Sequence, residues 1–255
     1  MGIPEENIYP HATGAAEALV AKHQEPQDLV FYAGWFCPYV QRAWVALEEK
    51  GIPYQYKEVN PYKKEPHFLS INPKGLVPAL EYRGKALYES LVLLEFFEDA
   101  FPGTKPLLPA DPADRALARM AIDQLNKTFI PAFQRLLPAK EPEKQAALRE
   151  EVYEALRKFS KGIKGPYYLG EEFSAVDVAI VPWIVRDYVL AEHRGYNRAD
   201  VSPQWKAYAD LVEKRESVLN TSSLRDHLVD IYDRYLRNEA MSQAAIAIRA
   251  GRAIP

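Results

Sequence analysis

The chain has 255 residues, 48% hydrophobic and 26% charged, with a formal net charge of −3 and a single cysteine. That length allows two domains, and the composition is that of a globular protein rather than a disordered or fibrous one. No long basic run offers a footprint for nucleic acid, and one cysteine excludes an internal disulfide framework and fits a reducing, cytoplasmic setting.

Residues 1–27 are polar and proline-dotted and read as an N-terminal extension, with one short helical pattern at Ala15–His23. Glu5 and Glu6 argue against a secretory signal, and Glu6 stands where a myristoylation motif needs Ser or Thr. Leu29–Tyr32 is a strand candidate. Pro38–Lys50 reads as a helix with Val40, Ala43, Trp44 and Leu47 at helical spacing, closed by Gly51. Tyr54–Val59 is a second strand, Lys63–Ser70 a short helix or turn, and Asn72-Pro73-Lys74-Gly75 a loop with strong turn chemistry. Leu76–Tyr82 and Lys85–Tyr88 form a hairpin around Arg83-Gly84, and Ser90–Ala100 is a helix. Residues 28–104 thus follow the order β-α-β-α-β-β-α, an α/β unit with a small mixed sheet.

Residues 105–112 suit a linker, and 113–255 read as all-helical with a C-terminal tail. Ala113–Leu137 carries apolar Leu117, Met120, Ala121, Ile122 and Leu125, with Pro131 bending or interrupting it. Lys144–Lys161, Ala175–Tyr188, Pro203–Arg215 and Ser222–Asn238 follow, then an Ala-rich tail. The most apolar segment, Val176–Val189, contains Asp177, Arg186 and Asp187 and is too short to span a bilayer, so no membrane partner is expected.

The chemistry concentrates where the first strand meets the first long helix. Cys37 precedes Pro38, which sits where a missing N–H costs nothing. Free N–H groups and the positive end of the helix dipole favour a thiolate there, whereas a buried free cysteine is merely a small hydrophobe. Pro78 at the mouth of a strand removes a ladder donor. A trans Val77–Pro78 bond gives an ordinary turn, and a cis bond would turn the Val77 backbone outward to pair with an extended peptide. Ser90 could simply cap its helix; alternatively, Ser90 and the helix N–H groups bind a ligand carboxylate while Glu89 pairs with an ammonium. Ser174-Ala175-Val176-Asp177 is a capping box assigned to folding, with Phe173 and Val178 at staple positions. The five histidines lack metal-ligand spacing, so no metal is expected. The aromatics Phe129, Phe133 and Trp183 suit a core stripe better than a pocket.

The Cys37-Pro38 start, Gly75-Leu76-Val77-Pro78, Glu89-Ser90 and the box ending at Asp177 occur together in one order. In this the chain, from about residue 28 to residue 235, resembles a cytosolic glutathione transferase. Phe36-Cys37-Pro38-Tyr39-Val40-Gln41-Arg42 is similar to the omega class; the plant lambda class shares the cysteine motif. The resemblance implies a thioredoxin-like domain with a mixed four-stranded sheet, followed by a helical bundle domain. It implies glutathione held by Phe36, Pro38, Lys64, Val77, Pro78, Glu89 and Ser90. Val77 would bind the cysteinyl backbone beside a cis Pro78, Glu89 and Ser90 the γ-glutamyl end, and Lys64 the glycyl carboxylate. Tyr39, Phe129, Phe133, Trp183 and Arg186 would supply an acceptor site for small hydrophobic or disulfide substrates.

With Cys37 as the catalytic residue, the resemblance implies thiol transfer through a mixed disulfide: deglutathionylation, dehydroascorbate reduction and glutathionyl phenacyl ketone reduction. Val40 stands where a dithiol motif has its second cysteine, so external glutathione must release the intermediate. A homodimer is implied as well. The alternatives are a ligandin-type store for hydrophobic or phenolic ligands, a glutathione-dependent ether-cleaving enzyme, and a membrane-inserting relative. Arg42, Glu48, Glu49 and Lys50 argue against the last by interrupting the apolar stretch after Cys37.

Overall fold

The computed structural model describes residues 8–63 and 65–254. In chain order the elements are α1 (Ala15–Lys22), β1 (Leu29–Ala33), α2 (Pro38–Lys50), β2 (Gln55–Glu58), α3 (Pro66–Ile71), β3 (Ala79–Tyr82), β4 (Lys85–Tyr88) and α4 (Ser90–Ala100). Ten helices follow: α5 (Pro112–Lys127), α6 (Phe129–Leu136), α7 (Pro142–Ser160), α8 (Ala175–Ile184), α9 (Tyr188–Arg194), α10 (Arg198–Val201), α11 (Pro203–Val212), α12 (Glu216–Asn220), α13 (Arg225–Arg237) and α14 (Gln243–Arg249). One compact unit comprises the chain up to Leu108 together with Lys214–Leu228; the other comprises Pro109–Glu213 and the chain from Val229 on.

In the first unit the strands form one mixed sheet in the order β2-β1-β3-β4. β1 runs parallel to β2 and antiparallel to β3, and β3 pairs antiparallel with β4 across Arg83-Gly84. Strand alternation sends Phe31, Tyr56 and Leu80 to one face and Tyr32 and Ala79 to the other. Trp44 of α2 packs on Tyr56 with ring centroids 4.9 Å apart, and its indole N–H donates to Tyr54. The opposite face is covered by Phe68 and Ile71 of α3. α2 has local reasons to start and stop where it does: Pro38 occupies its first turn, and Gly51 takes the left-handed conformation at φ 62° that ends it.

The segment from Lys214 to Leu228, placed in the helical domain by the sequence, groups with the sheet unit, where α12 packs against α1 and α2. The Gln41 amide donates to Ser222 Oγ at 2.9 Å and to Thr221, and Arg215 and Ser217 both bond Glu49. Both ends of α2 are therefore fastened to the same returning stretch of chain.

In the helical unit the predicted helix over Ala113–Leu137 is two helices: Pro131 interrupts it rather than bending it, with the break at Thr128. The reason is steric: the Pro131 ring cannot sit over the carbonyl of Lys127, four residues back, so α5 ends there and Pro131 falls in the first turn of α6. Ala118, Ile122 and Leu125 are buried, while Leu117 and Met120 are exposed. The expected Ala175–Tyr188 helix also divides. After Pro182 the ladder tightens, with Arg186 bonding Trp183 and Asp187 bonding Ile184, before α9 resumes. The capping box is present: Asp177 accepts from the Ser174 N–H and hydroxyl, the Tyr168 N–H and the Tyr208 hydroxyl. Among the described residues no helix is long and apolar enough to cross a membrane.

Candidate active site

The sheet register brings the chemistry together. Tyr32 lies opposite Ala79, and Ala79 lies opposite Tyr88. The end of β1, the start of β3 and the end of β4 therefore share one edge of the sheet. Cys37 follows the first, Pro78 precedes the second, and Glu89 follows the third.

Cys37 occupies the N-cap of α2 with extended backbone angles (φ −79°, ψ 123°) and is partly exposed. Its N–H donates to Gly34 O at 2.9 Å, and its carbonyl accepts from Gln41, which fixes the turn and starts the helix. The sulfur does not cap the helix. Sγ lies 3.8 Å from the carbonyl oxygen of Val77, within donor reach. The Val77–Pro78 peptide is cis, the geometry the resemblance implies. Asn72, fully buried, pins the loop ahead of it: its amide donates to Leu76 O at 2.8 Å and its side-chain oxygen accepts from the Lys74 N–H.

Two positive features lie near the sulfur, the N-terminus of α2 and Arg42. The N-terminus of α2 supplies dipole and N–H groups. Arg42, on the same helix, is fully buried, and burial holds its pKa down to about 10, while Tyr39 and Cys37 pull it back up. That attraction is mutual, so the buried guanidinium supports an anionic sulfur. Its carbon lies 5.5 Å from the centroid of the Tyr39 ring. Burial pushes the Tyr39 hydroxyl up to about 12, with Arg42 opposing and Cys37 adding to the shift.

At the other side of the edge, Glu89 is the N-cap of α4 and holds a left-handed φ of 77°, a conformation that costs a non-glycine residue about 1–3 kcal/mol. Such strain persists where the surroundings enforce it. Here it turns the carboxylate out beside buried Ser90, the first residue of α4. Lys74 Nζ sits 2.6 Å from Glu89 Oε1, both side chains about half exposed. The hydrogen bond to Glu89 raises the Lys74 pKa.

Phe36, Cys37, Pro38, Tyr39, Val77, Pro78, Glu89 and Ser90 all belong to the sheet unit. Phe36 is buried and stacks on Tyr62. Lys64 lies outside the described residues. Phe129, Phe133, Trp183 and Arg186 belong to the helical unit and are 3%, 1%, 1% and 4% exposed. At that exposure they are core, which corrects their expected place on an open acceptor surface: Phe129 and Phe133 pack edge to face, and Arg186 bonds Pro182 O. Two residues the sequence did not single out are Lys74 and Glu58. Lys74 was signalled only by the Asn-Pro-Lys-Gly turn; Glu58 had no local signal.

Residues 36–100, which carry Cys37, Pro78 and Glu89, match the family model of the glutathione S-transferase N-terminal domain, and residues 127–221 match that of the C-terminal domain. A solved structure, glutathione transferase Omega 3C from Trametes versicolor, is 61% identical, covers 91% of this chain and 100% of its own, and superposes with a TM-score of 0.87. The chain belongs to the glutathione transferase family. Rice GST1 (OsGSTU1), solved in complex with glutathione, is 30% identical over 84% of this chain and 100% of that one, with a TM-score of 0.76. Glutathione S-transferase omega-1 of Sus scrofa is 34% identical over 63% of this chain and 68% of that protein. These likenesses bear out the family, the omega-type kinship and the thioredoxin-like plus helical fold class of this transferase.

Proposed function

We propose that this glutathione transferase is a thiol transferase that works through a mixed disulfide at Cys37. The observation that carries the reading is the sulfur itself: it is partly exposed at the N-terminus of α2, 3.8 Å from the backbone of Val77. Glutathione lies along the Val77 backbone, with its γ-glutamyl ammonium on Glu89 and the carboxylate at Ser90 and the α4 N-terminus. The Cys37 thiolate attacks the glutathione sulfur of a glutathionylated substrate. The Cys37–glutathione disulfide forms, the substrate disulfide breaks, and the substrate leaves as a thiolate that takes up a proton. A second glutathione thiolate then attacks the adduct, releases glutathione disulfide and restores the Cys37 thiolate.

Phe36 and Tyr39 flank the sulfur and form the near wall of the acceptor site. Deglutathionylation, dehydroascorbate reduction and reduction of glutathionyl phenacyl ketones are the reactions such a thiolate serves. A reducing cytoplasm supplies the glutathione. The protein works as a homodimer; exposed Val92 on α4 and Leu117 and Met120 on α5 are apolar side chains suited to a partner subunit.

Intact mass after incubation with glutathione disulfide tests the chemistry. One glutathionyl adduct, removed by excess glutathione, is the expected result. A chain that stays unmodified while bound to glutathione overturns it.

A further inference from the structure

We infer that Glu58 is a positioning residue for Cys37: its carboxylate holds the Gly34–Phe36 turn and the N-terminal arm in the arrangement that presents the sulfur. The inference rests on the reactive-cysteine reading above and adds to it a residue outside the glutathione-binding edge.

The geometry begins with the parallel ladder. Glu58 ends β2 directly opposite Ala33, the last residue of β1, and Val59 N–H closes the pairing on Ala33 O at 2.7 Å. Between Ala33 and Cys37 the chain must reverse in three residues, and the ladder has no acceptor left for the Trp35 N–H. Glu58 Oε1 accepts it at 3.1 Å. Oε2 accepts from the Tyr56 hydroxyl at 3.3 Å, and the carboxyl also accepts from the Ala12 N–H of the arm. The arm is tied a second time, because the Trp35 indole N–H donates to Tyr9 O at 2.8 Å. One carboxyl thus joins β2, the turn and the residues ahead of α1.

The turn has no slack to absorb a loss of that grip. A side chain added at Gly34 would put its Cβ 3.2 Å from Val59 O and 3.4 Å from a Val77 methyl, so the turn is wedged between the end of β2 and the loop facing the sulfur. The Cys37 N–H bonds Gly34 O, so a shift at Trp35 passes to Cys37 within two residues.

Burial pushes the Glu58 pKa up to about 7, with the Trp35 N–H, the Tyr56 hydroxyl and the Ala12 N–H holding it down. The groups that face it are those same three. The flanking titratable side chains, Lys57 and His11, are exposed. The Tyr56 hydroxyl is itself pushed well above its usual range by burial and by Glu58, so it stays a donor. The carboxylate, a stronger acceptor than the neutral acid, grips the turn above the midpoint and loosens below it.

The test compares the wild-type chain with E58Q and E58A. Cys37 alkylation by iodoacetamide is followed across the pH range around the Glu58 midpoint, alongside hydroxyethyl disulfide turnover. The ratio of wild-type to E58Q alkylation rates is expected to rise severalfold through that midpoint. In E58A, kcat is expected to fall roughly ten- to a hundredfold, the scale of a small displacement of a reacting atom, with KM for glutathione nearly unchanged. Protection of the Trp35 amide from hydrogen exchange, taken relative to the intrinsic base-catalysed rate at each pH, is expected to rise as pH increases through the same midpoint in wild type and to show no such step in E58Q. A flat rate ratio with no Trp35 exchange step overturns the inference, and E58Q decides it if E58A does not fold. If Cys37 is inert in the wild type while the Trp35 step appears, the reactive-cysteine reading fails and the Glu58 tether stands.

Discussion

Replacing Glu49 tests whether α2, the helix that presents Cys37, is held in place by the returning segment. Glu49 is 6% exposed and receives Arg215 in a two-pronged bond, Nε at 2.5 Å and Nη2 at 2.7 Å, with Ser217 Oγ at 2.5 Å on the same carboxylate. Lys105 Nζ lies 3.6 Å away. Burial by itself would raise the Glu49 pKa, but the bonds from Arg215 and Ser217 and the nearby Arg215 and Lys105 charges outweigh it, and the net shift is downward. E49Q keeps the shape and removes the carboxylate charge that faces the Arg215 guanidinium, which is 22% exposed. Breaking a buried pair in this way costs about 3–5 kcal/mol, and the partial exposure of Arg215 places the loss near about 3. At about 2–4 °C per kcal/mol the midpoint of thermal unfolding should fall by about 6–12 °C. A double-mutant cycle with R215M should recover most of the loss as coupling. Because the folded-state pKa is depressed, this stabilisation is present above the unfolded carboxylate pKa and is lost as pH falls through the folded one. The gap between wild type and E49Q must therefore narrow in acid. A drop below about 2 °C at neutral pH, or a gap that ignores pH, refutes the reasoning.

Three further substitutions separate chemistry from folding. C37S should abolish turnover of hydroxyethyl disulfide while glutathione binding by calorimetry survives, and it should unmask weak conjugation to aromatic electrophiles; retained thiol transfer sinks the mixed-disulfide route. E89A should raise KM for glutathione about tenfold, equivalent to about 1.4 kcal/mol, while its melting temperature moves little, because the Lys74–Glu89 pair is half exposed. A change in melting temperature with KM intact would make Glu89 structural. D177A removes a fully buried carboxylate with four donors and should cost about 3–5 kcal/mol in denaturant titrations, with kcat unchanged where the chain is folded.

What the sequence revealed is what local chemistry decides. Pro38 and Gly51 bracket α2, and the structure ends the helix at those residues. Arg83-Gly84 makes the hairpin, both residues at positive φ. Ser174 and Asp177 cap α8 by bonds that span three residues. The errors arise where neighbours in space decide. Leu117 and Met120 share the apolar spacing of α5 but sit a fraction of a turn off the Ala118, Ile122 and Leu125 face, so they are exposed. α10 and α12 are too short to show a helical period, and α14 lies in what read as a featureless tail. Cys37, Glu89 and Ser90 stood out because each marks the junction of a strand and a helix. Glu58 could not stand out: a glutamate ending an unremarkable strand acquires its role only from a parallel register that sets it beside Ala33 and the turn beyond.

On the proposed route the sulfur works alone. Val40 occupies the place of a resolving cysteine, and at 1% exposure it is committed to the packing beneath α2. With no second thiol in the chain, an adduct at Cys37 can be released only by a thiol that arrives from solution. On the proposed mixed-disulfide route the sulfur must therefore stay reachable in every turnover, yet its helix must be held rigidly enough to keep Sγ beside the Val77 backbone. Those demands conflict if the anchoring uses the sulfur's own surroundings. The fold separates them. Glu49 and Gln41 fasten α2 to the returning segment, and Glu58 bonds the turn ahead of it, so these anchors act on the helix and the turn rather than on the sulfur. A dithiol enzyme can resolve its adduct internally and has less need of this division; a single-cysteine enzyme depends on it.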